Sequence, residues 1–236
     1  MMGWFQSVAA MGALREEKRY GVIANNLSNS QTVGFRKDNL VFRKAIDKAL
    51  DRITSEQTGT TLTSFQQGEL QTTGNPLDVA IDGEGFFKIA TPQGIRYTRS
   101  GRFELNKDRV LVSASGFPVM GRAGEITLTG KNISIDQDGS IRVDGVTVDQ
   151  LSVVTLPDPH LLKKEGQTLL TSGVPQEETD DRESQVIQGS LESPNTNVVE
   201  EMMKMLDSLR VYESCIKAIQ SNDELNAKAV NEVGRV

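Results

Sequence analysis

The sequence predicts an α+β fold, with N- and C-terminal helices paired as a coiled coil and an antiparallel all-β domain inserted between them. Two observations carry this. Both ends are proline-free with helical spacing of apolar residues, and the C-terminal end holds a seven-residue repeat. Between them the apolar period falls to two, and Asp-Gly pairs punctuate the short runs. A period near 3.6 marks helix and a period of two marks half-buried strand.

The N-terminal helix is expected from Met2 to about Leu27. Trp4, Val8, Met11, Ile23 and Leu27 fall near helical spacing, with Ala9, Ala10, Gly12 and Ala13 between them. Asn25, Asn26 and Asn29 suit the end of such a helix, because Asn tolerates the left-handed conformation. Thr32-Val33-Gly34-Phe35 predicts a turn. A second amphipathic stretch follows, with Phe42, Ile46, Ala49, Leu50 and Ile53 on one face and Arg43, Lys44, Asp47, Lys48 and Asp51 on the other. Residues 1–53 are thus expected to be the N-terminal helical part of an axial core domain.

Residues 54–74 are expected to form an extended polar arm. From Thr54 to Asn75 only Leu62, Phe65 and Leu70 are apolar, and seven residues are threonine. Such a segment is expected to order against a neighbour.

The β domain is expected over residues 75–185. Leu77, Val79 and Ile81 alternate with Asp78, Ala80 and Asp82. Short runs recur at Phe86–Ile89, Ile95–Tyr97, Val110–Val112, Ile126–Leu128, Ile133–Ile135, Ile141–Val143 and Leu151–Leu156. The pairs Asp82-Gly83, Asp138-Gly139 and Asp144-Gly145 suit tight hairpins, which need positive φ. A polar, acidic connector, Gly173 to Ser184, leads out.

Residues 186–236 are expected to hold the C-terminal helix of the axial core. Asn197, with Glu200 three residues on, resembles a capping box. Val198, Met202, Met205, Leu209, Tyr212, Ile216 and Ile219 then space as a heptad seam. A helix reaching about Val230 is about 50 Å long, more than a small β domain covers. A helical partner is therefore expected, and the N-terminal helix is the nearest candidate.

Composition narrows the function. The chain has 236 residues, 37% hydrophobic and 5% aromatic, with formal net charge −6. That is thin for a compact enzyme, and it lacks the basic footprint of a nucleic-acid binder. With one cysteine, Cys215, no intrachain disulfide forms, and with one histidine, His160, a zinc site built from His and Cys is nearly excluded. His160 lies in a Pro-broken connector and is expected to be an ordinary loop residue. Cys215 is expected to be a packing thiol. Gly83-Glu84-Gly85 opens like a dinucleotide fingerprint but leads to a strand. Asp136-Gln137-Asp138-Gly139-Ser140 opens like a calcium loop but lacks its glutamate, so a hairpin turn is expected. No apolar run reaches the roughly 20 residues of a membrane helix. Met1 to Leu14 lacks a basic leading region, so no cleaved signal is expected.

Several blocks carry a resemblance. Ile23-Ala24-Asn25-Asn26-Leu27-Ser28-Asn29 with Thr32-Val33-Gly34-Phe35-Arg36 resembles the N-terminal signature of flagellar rod and hook proteins. Gln67-Gly68-Glu69-Leu70, Thr73-Gly74-Asn75-Pro76-Leu77-Asp78 and Ile81-Asp82-Gly83-Glu84-Gly85-Phe86-Phe87 resemble its central block. Tyr97-Thr98-Arg99-Ser100-Gly101-Arg102-Phe103 and Gln188 to Met202 resemble further blocks, with Tyr212-Glu213 and Lys217 to Gln220 continuing the last of them. These span nearly the whole chain in order.

The chain is thus similar to the flagellar basal-body rod proteins of FlgF/FlgG type. The β region has no room for a hook protein's outer domains. The opening Met1-Met2-Gly3-Trp4-Phe5 and Leu209-Arg210-Val211-Tyr212-Glu213 favour the proximal-rod type over the distal. The resemblance implies a structural subunit that polymerises helically into a hollow, torque-transmitting shaft in the periplasm. It also implies partners among other copies and other rod proteins, and passage through the flagellar type III export apparatus. No cofactor, small-molecule substrate or nucleic acid is implied. Terminal helices with exposed seams are expected to be largely disordered before assembly. The rival class is a β domain that binds or hydrolyses cell-wall glycan.

Overall fold

The structure is a computed structural model that describes residues 2–42, 44–47, 52–55, 59–173, 177–181 and 183–233; for residues 2–7, 44–47, 52–55 and 229–233 it describes backbone alone. Two compact units result. One contains residues 1–28, 38–63 and 197–236, and the other residues 29–37 and 64–196.

The helical unit is built on α1 (Met2–Ser28) and α2 (Val198–Val233). Asn197 starts α2: its side-chain oxygen accepts from the N–H groups of Val199 and Glu200 at 3.0 and 3.2 Å, satisfying two of the donors a helix start leaves open. The helices run antiparallel. Asn26 meets Glu201 and Glu16 meets Ser208. A side chain at Gly12 would reach the Cys215 sulfur at 3.0 Å. The line of contact on α2 therefore passes through Glu201, Ser208 and Cys215, each seven residues apart. Small and polar groups make this seam: the Ser208 hydroxyl donates to the Glu16 carboxylate at 2.8 Å.

The expected amphipathic stretch over 42–53 is not helical where it is described. Asp38–Val41 pairs with Thr60–Thr63, and Lys44–Asp47 pairs with Arg52–Ser55. Ile46 and Ile53, spaced to suit one helix face, stand opposite each other across a ladder instead. β-branched residues fit a pleated strand better than a helix turn. Ala49 and Leu50 lie outside the described residues, as does the side chain of Trp4. The polar arm is extended, but it finds partners within the chain. Thr60–Thr63 takes the ladder just named, and Leu70–Thr72 pairs with Ser190–Glu192.

In the β unit every ladder is antiparallel. A six-stranded sheet runs in the order Leu162–Glu165, Leu169–Ser172, Gly94–Thr98, Phe86–Thr91, Val153–Thr155, Thr179–Asp180. Successive residues point to opposite faces. Phe87, Ile89 and Val153 enter the larger core with Phe103 and Ile141, while Phe86 and Val154 enter a second core with Tyr97 and Leu170. The expected acidic connector supplies the edge strand Thr179–Asp180. Gln185–Gln188 pairs with Val79–Asp82, so residues 185–196 fold with the β unit and not with the C-terminal helix. Asp138-Gly139 makes the predicted hairpin turn: Gly139 has φ +81°, and Ser140 donates to the Asp138 carboxylate from both its N–H and its hydroxyl. These bonds hold that carboxyl below its ordinary range.

Candidate functional site

Four of the sequence blocks meet in the β unit, around Glu192. Its side chain is fully buried. Arg36 Nη1 lies 2.6 Å from Oε1, and Arg99 Nη1 lies 3.6 Å from Oε2. The N–H of Gly68 donates to Oε1 at 2.7 Å, and that of Gly34 donates to the Glu192 carbonyl at 2.8 Å. Arg99 Nη2 donates to the Gly83 carbonyl at 2.6 Å, with its guanidinium over the Phe86 ring. Phe35, buried next door, carries the Lys164 ammonium over its own ring at 4.2 Å. Two guanidiniums thus share one carboxylate. Burial draws the Arg99 guanidinium down to about 10 against the attraction of Glu192, so it stays charged at neutral pH.

Gly34 explains its own position. Its φ is +69°, and a Cβ there would stand 2.3 Å from the Ser100 backbone nitrogen. Only glycine lets the turn pass this close to the Arg99-Ser100 backbone. Thr32 closes the same turn, its N–H donating to Asn29 and its carbonyl accepting from Phe35.

On the helical unit, Asn26 is buried in α1. Its amide donates to the Asp38 carbonyl at 2.8 Å and to Glu201 Oε2 at 3.2 Å, and its oxygen accepts from Asp38 N–H at 2.9 Å. Lys204 neutralises Glu201 at 2.9 Å. A cleft of about 250 Å³ opens here, lined among others by Arg19, Ile23, Asp38 and Asp207. Asn25 is exposed, Leu27 half-buried and Asn29 buried.

The seven C-terminal seam residues divide into two sets. Met205, Ile216 and Ile219 are half-buried. Val198, Met202, Leu209 and Tyr212 are 41, 51, 39 and 38% exposed. Val199, Met203 and Leu206 beside them are exposed further still. The stripe read from the sequence thus lies beside the line Glu201–Ser208–Cys215, and Leu209 and Tyr212 line a small cleft with Glu16, Glu17 and Tyr20 of α1.

Arg36 and Arg99 are ion-paired with Glu192, Glu201 is ion-paired with Lys204, and Asp78 accepts from Thr73 and Asn75. His160 is exposed in the short turn Pro159–Leu161, edge-on to Phe65. Among the described residues, no three His, Cys, Asp or Glu side chains are grouped to hold a metal.

Residues 80–143 match the family described as flagellar hook protein FlgE/F/G D1 domain, and residues 187–232 match flagellar basal body rod FlgEFG protein C-terminal. The chain is 33% identical to the flagellar basal-body rod protein FlgF of Caulobacter vibrioides over 228 residues, 91% of either chain. The chain belongs to the flagellar basal-body rod protein family. It is also 30% identical to the FlgF of Rhizobium meliloti over 96% of either chain. The FlgG of Bacillus subtilis is 29% identical over 91% of this chain and 93% of its own. In this rod-family chain the recognition blocks are the segments that cross around Glu192 and Asn26. Arg36, Arg99, Glu192, Asn195 and Glu201 lay inside or beside quoted blocks, yet no spacing rule marked them as partners. Their contacts reach across as many as 175 positions of the chain, with no period to betray them.

Proposed function

We propose that this chain is a structural subunit of the flagellar basal-body rod, polymerising helically to form part of the hollow shaft that transmits torque, and that it is not an enzyme. The observation that carries this, beside family membership, is the apolar stripe on α2. Val199, Met202, Leu206 and Leu209, spaced three, four and three, are all exposed. A helical stripe of this kind is the surface a second helix covers. Contacts repeated head to tail without closing build a helical filament. The chain's partners are then further copies of itself and other rod proteins. It reaches the periplasmic rod through the flagellar type III export apparatus. The FlgF relatives from Caulobacter and Rhizobium support the proximal-rod position, and FlgG relatives at similar identity support the distal one as the second reading.

Deleting the gene and isolating basal bodies tests the proposal. The expected result is a rod that stops short, restored when the intact chain is supplied. Complete rods without the chain would overturn the reading. Cleavage of purified peptidoglycan by the chain would favour the glycan-active alternative.

A further inference from the structure

The chain passes between its two units four times, after residues 28, 37, 63 and 196. Each unit therefore has four chain ends to hold. On the helical unit one asparagine gathers them. Asn26 lies in the last turns of α1 and grips both backbone groups of Asp38 and the carboxylate of Glu201, in the first turn of α2. Asp38 in turn accepts from the Thr63 hydroxyl at 2.8 Å. On the β unit another asparagine does the same. Asn195 Oδ1 accepts from Lys37 N–H at 2.7 Å, and its amide donates to the carbonyls of Ser64 and Gln66 at 3.0 and 2.9 Å. Its own N–H donates to the Phe35 carbonyl at 3.4 Å. Both side-chain amides use their oxygen and both N–H groups.

The two asparagines grip consecutive residues. Lys37 N–H goes to Asn195 and Asp38 N–H to Asn26. Thr63 ties to Asp38, and Ser64 N–H donates to the Lys37 carbonyl at 2.8 Å. A peptide bond joins the two grips at each of these passages, so slack on one side is felt on the other.

We propose that Asn26 and Asn195 are positioning residues forming one cooperative clamp on the chain passages, so that order in the helical unit and order in the β unit are coupled. The clamp stands on these hydrogen bonds alone. Its use in passing twist from one unit to the other rests on the rod reading.

Amide hydrogen exchange on the full-length chain tests it. Asn195→Ala should speed exchange at Lys37 by roughly tenfold or more. It should also speed exchange at Asp38, whose bond partner Asn26 is untouched, and leave Ile81 and Phe87 in the β strands as protected as before. Asn26→Ala should do the reverse, loosening Asp38 and also Lys37. If each substitution loosens only its own amide, the two grips are independent and the proposal fails. Should Asn195→Ala lose protection at Ile81 and Phe87 as well, Asn195→Asp decides. It keeps the acceptor for Lys37 but presents an oxygen to the Ser64 and Gln66 carbonyls. Faster exchange at Asp38 supports the clamp, and unchanged exchange overturns it. Absence of the chain from basal bodies would sink the rod reading and leave this result standing.

Discussion

Glu192 is the only carboxylate that either Arg36 or Arg99 reaches as an ion pair among the described residues, and all three side chains are almost completely buried. Removing one member of a buried charge set costs most when it strands the remainder, about 3–5 kcal/mol. Glu192→Gln strands two cations. Arg36→Met leaves Glu192 with Arg99 and removes the excess charge. Thermal unfolding of the β unit should therefore fall much further for Glu192→Gln than for Arg36→Met, and equal losses would refute the account of excess positive charge. Backbone shape decides the other residue-scale case. Gly34 and Gly145 both have positive φ, but a Cβ at Gly145 meets nothing within 4 Å, whereas one at Gly34 meets the Ser100 backbone. Gly145→Ala should cost about 1 kcal/mol, and Gly34→Ala clearly more, by denaturant titration of each variant.

At the scale of elements, the edge strand Thr179–Asp180 is pinned by its neighbour Glu178. The Tyr97 hydroxyl and the Lys88 ammonium both donate to that carboxylate, at 2.6 Å each. Burial alone would raise the Glu178 carboxyl, but these bonds prevail and hold it below its ordinary range. The unfolded chain then binds a proton more readily than the folded one, so stability falls as pH drops through this lowered range. Glu178→Gln should flatten the acid limb of the stability profile, leaving stability near neutral pH within about 1 kcal/mol because the pair is partly exposed. An unchanged acid limb would rule the tie out. Much of the strand pattern was legible: the short apolar runs Phe86–Ile89, Ile133–Ile135 and Ile141–Val143 are all strands, and Asp138-Gly139 turns the last two against each other. Asp82-Gly83 makes no hairpin, because Val79–Asp82 pairs with Gln185–Gln188 and Phe86–Thr91 with Gly94–Thr98. Thr60–Thr63, Leu70–Thr72 and Thr179–Asp180 were not legible as strands, because polar edge residues leave no hydrophobic period. The stretch 42–53 misled because apolar spacings of three and four also arise across a hairpin. The heptad of α2 was legible, but the groups that meet α1 at Glu201, Ser208 and Cys215 were not. Small and polar residues leave no hydrophobic stripe to follow.

For the whole molecule, the two units differ sharply in core. Among the described residues the helical unit buries only Ala13 and Ile23 as apolar side chains, while the β unit holds both hydrophobic cores. One buried Ile contributes about 2–3 kcal/mol, whereas ordering costs about 1–2 kcal/mol for each residue. Anchoring by Asn26–Glu201 and Glu16–Ser208 favours the helix ends nearest those pairs. In the free chain the C-terminal half of α2 should therefore fray first, and trypsin should cut at Lys217 and Lys228 before Lys204. First cleavage at Lys204 would contradict this order.

If the chain assembles through the exposed stripe on α2, charges placed on that stripe should block assembly and leave the free chain folded. Leu206→Asp and Leu209→Asp are introduced together, and basal bodies are isolated from cells carrying only that chain. Both positions are exposed, at 55 and 39%, so each change should alter the free chain's stability by no more than about 0.5 kcal/mol. Buried against a neighbour's helix, each carboxylate costs several kcal/mol. The expected result is a folded chain that is missing from truncated rods, in cells that do not swim. Complete rods containing the doubly substituted chain, in swimming cells, would contradict it.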